Sequence, residues 1–161
     1  MNAILRPCEN ADLERLHEIS LLAWTPIFAS FQQILGASLF AIVFPDFRAE
    51  QWRGIEAGCR GEHGASAWVA EQDGVVVGFI LLKLHGDTKI GEINYNAVHP
   101  EYQNSGIGTM MYEFALTQLR EGGMRAANVG TGGDAAHAPA RRAYEKVGFQ
   151  PLPLVNYYME L

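Results

Sequence analysis

The sequence predicts an α/β or α+β fold, a mixed sheet flanked by helices, and three observations lead there. Segments of strand and helix character alternate along the 161 residues. A glycine-containing turn, Gln103-Asn104-Ser105-Gly106-Ile107-Gly108, joins an apolar strand-like segment to an amphipathic helical run. Asp73-Gly74, set between two runs of strand character, is a strong hairpin signal.

Taken in order, residues 3–6 read as a short strand ended by Pro7. From Asn10, the residues Leu13, Leu16, His17, Ser20, Leu21 and Trp24 recur at three- and four-residue spacing, an amphipathic helix whose end is predicted just before Pro26. Residues 27–60 are rich in aromatic and apolar side chains, among them Phe28, Phe31, Phe40, Phe44, Phe47 and Trp52, and Pro45 is predicted to split them into two helical pieces. A loop at 61–64 precedes strands at 66–71 and 75–85, and 90–98 forms the next strand. Ile107, Met110, Met111, Phe114 and Leu119 mark the apolar face of a helix that stops at Gly122-Gly123. A strand at 125–129, a glycine loop at 130–133, a helix at 139–147 and a final strand at 155–161 complete the pattern. No repeat, linker or low-complexity tract interrupts it, so residues 1–161 are expected to form a single domain.

Composition excludes several functions. Hydrophobic content of 48% and charged content of 19% are ordinary for a soluble globular protein. A net charge of −6 argues against a general nucleic-acid binder, which needs a basic stripe. No apolar run is long enough to span a bilayer, and Met1 to Pro7 lacks the apolar run of a signal peptide, so a cytoplasmic location is expected. Cys8 and Cys59 are then expected as free thiols. His99-Pro100-Glu101 lacks a Pro-Cys-x-x-Cys partner, and His17, His63 and His85 lack ligand spacing, so no metal site is expected.

The chemistry lies in the glycine turn. A helix N-terminus carries unpartnered N–H groups and partial positive charge, and glycines at Gly106 and Gly108 let that backbone approach a phosphate. A P-loop needs a lysine after its glycines, and none follows here. A dinucleotide fingerprint needs a third glycine where Met111 stands, and an acid about 20 residues on, near Arg125. What remains, Gln103-x-x-Gly106-x-Gly108, resembles the acyl-CoA pyrophosphate loop of the GNAT superfamily of N-acetyltransferases. Ala143-Tyr144-Glu145-Lys146-Val147-Gly148-Phe149 is similar to the second GNAT signature, and the resemblance runs from about Ala65 to Leu161. It implies a mostly antiparallel central sheet flanked by helices, acetyl-CoA as cosubstrate, and transfer of an acetyl group to a primary amine in a ternary complex. The amine is a small molecule or a protein amine. Members also often form homodimers.

The resemblance further implies which residues act. Acetyl transfer needs the amine deprotonated, donors for the developing negative charge on the thioester oxygen, and a proton for the departing thiolate. Glu92, six residues before Val98, matches a catalytic glutamate of the histone-acetyltransferase branch, against the plainer reading of a solvent-facing strand-end residue. Simple alternation puts Glu92, Asn94, Asn96 and Val98 on one face of the strand. Tyr144 matches the tyrosine held near the CoA sulfur, against a buried structural tyrosine. Backbone amides of Ala97 and Val98 are expected to meet the pantetheine and thioester at a bulge. The backbone of Gln103, Asn104, Ser105, Gly106, Ile107, Gly108 and Thr109 is expected to hold the pyrophosphate. His137, seven residues before Tyr144, replaces a common asparagine; it reads as a CoA contact, a base, or a helix-capping residue. Arg141 and Arg142 face either the CoA phosphates or solvent, while Asp46, Glu50 and Asp134 are equal candidates for attracting a cationic acceptor. Two other functions share these features: a CoA-binding regulatory module without turnover, and transfer of a longer acyl chain.

Overall fold

The computed structural model describes residues 3–161. Strands β1 (Ala3–Pro7), β2 (Ala65–Gln72), β3 (Val75–His85), β4 (Ile90–Val98) and β5 (Ala126–Val129) form a sheet in the order β1-β2-β3-β4-β5. The first four are antiparallel neighbours, and β5 runs parallel to β4. Helices α1 (Leu13–Leu35), α2 (Ala37–Val43) and α3 (Phe47–Cys59) lie between β1 and β2; α4 (Ile107–Glu121) and α5 (Ala138–Lys146) flank β5 in sequence. The mixed, mostly antiparallel sheet agrees with the expected fold class.

β3 is buried continuously over residues 76–82 because it carries apolar contacts on both faces. On one face Val77, Ile80, Leu82 and Ile93 pack with Met111, Ala115 and Leu119 of α4 and with Tyr144 of α5. On the other, Val69, Phe79, Leu81 and Ala97 pack with Leu16 and Ile19 of α1 and Ile55 of α3. The hairpin forms as the sequence signals, with Asp73 and Gly74 both at positive φ, 53° and 78°. α4 buries Ile107, Met111, Ala115 and Leu119, one residue per turn, and ends at Gly122 with Gly123 at φ 77°.

Three sequence expectations are corrected. α1 does not stop before Pro26 but runs on to Leu35. The proline lacks one backbone donor, and the helix continues because Phe28 and Phe31 pack beyond it, Phe28 lying 4.1 Å from Phe47 and Phe31 5.6 Å from Phe44 between ring centres. Residues 27–59 therefore form three helical pieces, broken at Gly36 (φ 78°) as well as near Pro45. Residues 155–161 make no strand. Pro151 and Pro153 offer no N–H to a ladder, and the segment crosses to α2, where Ser38 Oγ donates to Glu160 at 2.9 Å. Leu152, Leu154, Val155, Tyr157 and Met159 are all at least 72% exposed along it.

Cys8 and Cys59 are free thiols that the fold brings together. The contact with Cys59 draws the Cys8 thiol below its ordinary value, while the contact with Cys8 and burial push the Cys59 thiol up.

The start of α1 is tied to the sheet through a buried carboxylate. Asp12 is 7% exposed, takes two hydrogen bonds from Arg6 at 2.7 and 2.8 Å, and accepts from the Glu9 amide at 2.8 Å. Arg6 also donates to Glu71 at 2.7 Å. The Arg6 bonds outweigh burial and hold the Asp12 carboxyl below its ordinary range. Its stabilising effect is therefore full above about pH 4, where the unfolded carboxyl ionises, and is lost as pH falls through the lower folded value. Asp12→Ala should cost about 2–4 kcal/mol at pH 7 in urea denaturation, with the gap to wild type closing under strongly acidic conditions.

Candidate active site

β4 and β5 pair only from Ile90 with Ala126 to Ile93 with Val129. β5 ends there while β4 continues to Val98, so the sheet splits and the edge of β4 beyond Ile93 has no strand partner. β4 is also bulged. Ile80 pairs with Asn96 but Leu82 pairs with Ile93, leaving Asn94 and Tyr95 opposite Leu81. The extra residue reverses the facing of the side chains: Ile93 packs on the α4 side, and Ala97 on the α1 and α3 side. This corrects the single-face reading of β4. Glu92 points with Ala97 toward α1 and α3, whereas Asn96 and Val98 point toward α4 and α5.

The split opens into a cleft of about 1130 Å³, large enough for a cofactor-sized ligand. Ala97, Val98, Gln103, Asn104, Gly106, Gly108 and Thr109 line it, together with Glu92, His137 and Tyr144. The sequence-derived candidates thus converge, with two exceptions among the loop side chains. Ile107 is 5% exposed in the core, and Ser105 turns its hydroxyl to the Tyr102 carbonyl. Their contribution to any phosphate site is through the backbone alone. Gly106 has φ 91°, and no side chain caps the start of α4, so the amides of its first turn remain open to a ligand. Gln103 Nε2 donates to the Val98 carbonyl at 3.0 Å, which ties the loop to the end of β4.

Tyr144 is 7% exposed, with its ring packed edge-on against Tyr112 at 5.0 Å. Asn96 joins the two phenols: Tyr112 donates to Oδ1 at 2.8 Å, and Nδ2 lies 3.5 Å from the Tyr144 hydroxyl. Burial pushes both phenols above their ordinary value; for Tyr144 the bonds to Asn96 and Tyr112 pull the other way without cancelling it. Tyr144 therefore keeps its proton at neutral pH. Glu92 sits farther out, its side chain 37% exposed, and its Oε2 accepts from His85 Nε2 at 3.1 Å.

After β5 the chain turns back through a compact polar knot. Asp134 accepts from Ser30 Oγ of α1 at 2.7 Å and from the Ala136 amide at 3.2 Å, and Nδ1 of His137 donates to its other oxygen. Burial pushes the Asp134 carboxyl up, but the hydrogen bonds it receives from Ser30 and His137 prevail and hold it below the ordinary range. Arg141 donates to the carbonyls of Gly132 and Asp134 at 2.6 and 2.7 Å. A Cβ at Gly132 would collide with the Asp134 carboxylate and the His137 ring. Arg142 and Lys146 line the cleft, so the paired arginines divide between structure and site. None of Asp46, Glu50 and Asp134 lines it; Asp46 lies 3.8 Å from Arg53 at the surface.

The residues that sequence reading missed are those that act on other side chains. Asn96 and Tyr112 carried one weak signal, a polar amide in the middle of a strand. Ser30 carried none. Trp24, Pro26 and Ile27 of α1 form the wall opposite α5. His99 is buried, and its Nδ1 accepts from the Glu101 amide at 3.3 Å. Among the described residues no group of three or more His, Cys, Asp or Glu side chains is placed to hold a metal ion, and no helix is long and apolar enough to cross a membrane.

A sheet split between its last two strands beside an uncapped glycine turn defines an α/β protein of the acyltransferase type that the sequence resembles. Residues 16–149 match the Acetyltransferase (GNAT) family, and the chain belongs to it. A mycothiol acetyltransferase of Thermomonospora curvata is 36% identical over 85 residues, covering 53% of this chain and 28% of that protein. An N-alpha-acetyltransferase of Sulfurisphaera tokodaii is 28% identical over 107 residues, covering 60% of this chain and 64% of that one. The chain spans about a quarter of the length of the mycothiol acetyltransferases it matches. Among solved structures, the PaiA N-acetyltransferase of Thermoplasma acidophilum in complex with coenzyme A shares the fold, with a TM-score of 0.70, 19% identity, and 93% and 91% of the two chains covered.

Asn96→Ala should leave the Tyr112 hydroxyl buried without its acceptor. We expect a loss of about 1–3 kcal/mol in urea denaturation.

Proposed function

We propose that residues 1–161 act as one N-acetyltransferase domain that moves an acetyl group from acetyl-CoA to a primary amine, on a small molecule or a protein, in the cytoplasm. The observation that carries this reading is the meeting of three elements in one cleft: the unpaired edge of β4, the uncapped start of α4, and the buried Tyr144. Family membership and two relatives named as acetyltransferases support it.

In this reading the backbone from Gln103 to Thr109 holds the diphosphate of CoA, with positive dipole and N–H donors aimed at negative oxygens. The amides of Ala97 and Val98 take the pantetheine and the thioester oxygen, where charge develops as the amine attacks. Arg142 and Lys146 stand on the same wall and suit the remaining phosphate. Glu92, on the α1 and α3 side and half-exposed, meets the ammonium end of the acceptor at the mouth. Tyr144 gives its proton to the departing thiolate. The presence of both Glu92 and Tyr144 in the cleft favours turnover over a purely regulatory CoA-binding module. Acetyl in place of longer acyl groups, and homodimer formation, remain parts of the proposal that rest on the family resemblance.

The deciding experiment is thiol release from acetyl-CoA against a panel of polyamines, aminoglycosides, amino acids and lysine or N-terminal peptides, with coenzyme A binding measured by calorimetry. Gly106→Ala puts a side chain at φ 91° and should weaken coenzyme A binding about 10-fold in the same calorimetry. Tyr144→Phe should lower kcat about 10- to 100-fold while the KM for acetyl-CoA changes less than about 3-fold. An unchanged kcat would remove Tyr144 from the reaction.

A further inference from the structure

His137 is more than a wall of the cleft. Its ring is held on three sides: by Asp134 through Nδ1, by Phe31 of α1 stacked at 5.5 Å between ring centres, and by Gly132, which leaves no room for a side chain beneath it. The carboxylate that orients it is itself fixed, with Ser30 and the Ala136 amide on its second oxygen and Arg141 clamping the carbonyls of its loop. The Asp134 and His137 side chains are only 7% and 14% exposed. An ionised carboxylate can only accept, so Nδ1 carries a ring proton, and whenever the ring is neutral its lone pair lies at Nε2. With Nδ1 turned to the loop, Nε2 is the ring nitrogen left to the cleft that His137 lines.

We propose that His137 Nε2, with its tautomer and orientation set by Asp134, is the proton acceptor for the incoming amine. This rests on the acetyl-transfer reading above. The step balances as follows in atoms and charge. Nε2 takes one proton from the ammonium, and the imidazolium is paired with Asp134. The freed nitrogen attacks the thioester carbon, a C–N bond forms, and the C–S bond breaks with its electron pair going to sulfur. Sulfur takes the Tyr144 proton, the tyrosinate recovers the second amine proton, and the imidazolium releases its proton to solvent. Glu92, already accepting from His85, is left to hold the ammonium. Around His137, Asp134 of its own turn accepts from Nδ1, Arg141 of α5 holds the carbonyls of that turn, and α1 contributes Ser30 and Phe31, which carry no charge; Arg142 and Lys146 of α5 and Glu92 of β4 line the same cleft.

The test compares wild type with His137→Asn, Asp134→Asn and Glu92→Gln in the full chain, at saturating acetyl-CoA, across pH. The acceptors are n-butylamine and 2,2,2-trifluoroethylamine, the second being largely neutral with no ammonium proton to lose. Asp134→Asn presents an amide N–H to the ring and reverses the tautomer, so it should act like loss of the base while keeping the shape of the loop. Both loop variants should lower kcat with n-butylamine about 100-fold and flatten the fall in rate toward acid pH. With trifluoroethylamine they should lose less than about 5-fold, and coenzyme A affinity should stay within about 3-fold of wild type. Glu92→Gln should raise the KM for n-butylamine and keep the acid limb. Independently of turnover, ¹⁵N NMR of the wild type should show a protonated Nδ1 and a bare Nε2. The proposal fails if Nε2 carries the proton, if the acid limb survives His137→Asn, or if both amines slow equally. No thiol release by wild type from any amine, with coenzyme A still bound, would bring down acetyl transfer itself and the His137 role with it.

Discussion

The cleft exists because one strand outlasts its neighbour. β4 pairs with β5 over four residues and then runs on to Val98 with β3 alone beside it. Unpaired backbone groups inside a protein are costly, so a strand edge of this kind persists only where something else meets it: a side chain, water or a ligand. Asn96 Nδ2 donates to the Asn94 carbonyl at 3.2 Å, and Gln103 takes the Val98 carbonyl. Both side chains satisfy carbonyls. The donors along the same edge are what a carbonyl or phosphate ligand would use, and the bulge at Asn94 and Tyr95 turns Asn96 toward Tyr144. Two irregularities in one strand therefore act together: the unpaired edge leaves donors open, and the bulge brings Asn96 to the phenol.

The second structural condition is the length of α1. A helix ending before Pro26 would leave Ser30 and Phe31 elsewhere, and the turn after β5 would have only its own residues to order it. Phe28 and Phe31, packed on Phe44 and Phe47, keep the helix going past a residue that removes one of its hydrogen bonds. The aromatic cluster of residues 27–47 thus reaches the site directly through Phe31, which stacks on the His137 ring. The same turn of α1 carries Ser30, which donates to Asp134.

Local chemistry was legible in the sequence, and long-range pairing was not. The hairpin at Asp73 and Gly74, the apolar face of α4 and its glycine boundaries follow from rules acting over a few residues, and they stand as read. The glycine turn and the tyrosine helix were legible for the same reason, and they converge on one cleft. The bulge in β4 was not: it depends on how β3 sets its register against β4, and period-two alternation then misassigned the faces of Asn96 and Val98. Pro26 misled because tertiary packing overrode a local stop signal. Residues 155–161 have the apolar content of a strand, yet two nearby prolines and the contact of Glu160 with α2 leave them unpaired. Asp134 was visible as an acid, but its engagement by Ser30, more than a hundred residues away, is a property of the fold.

Burial acts in the same direction on Asp134 and Tyr144 and yet leaves them in opposite states. Each loses solvent, which favours the neutral form of both a carboxyl and a phenol. Asp134 is given donors in return, a hydroxyl, an amide and an imidazole, and it stays charged. Tyr144 is given a single long contact to an amide and the edge of another phenol, too little to stabilise an anion, and it stays protonated. The cleft accordingly carries a fixed negative charge behind the His137 ring and a held proton at Tyr144. Two titratable groups driven apart by their surroundings suit the transfer proposed above, which takes a proton from one reactant and delivers one to another. Neither state depends on net charge or on the identity of the acceptor; both follow from which hydrogen-bond partners the fold delivers to each buried group.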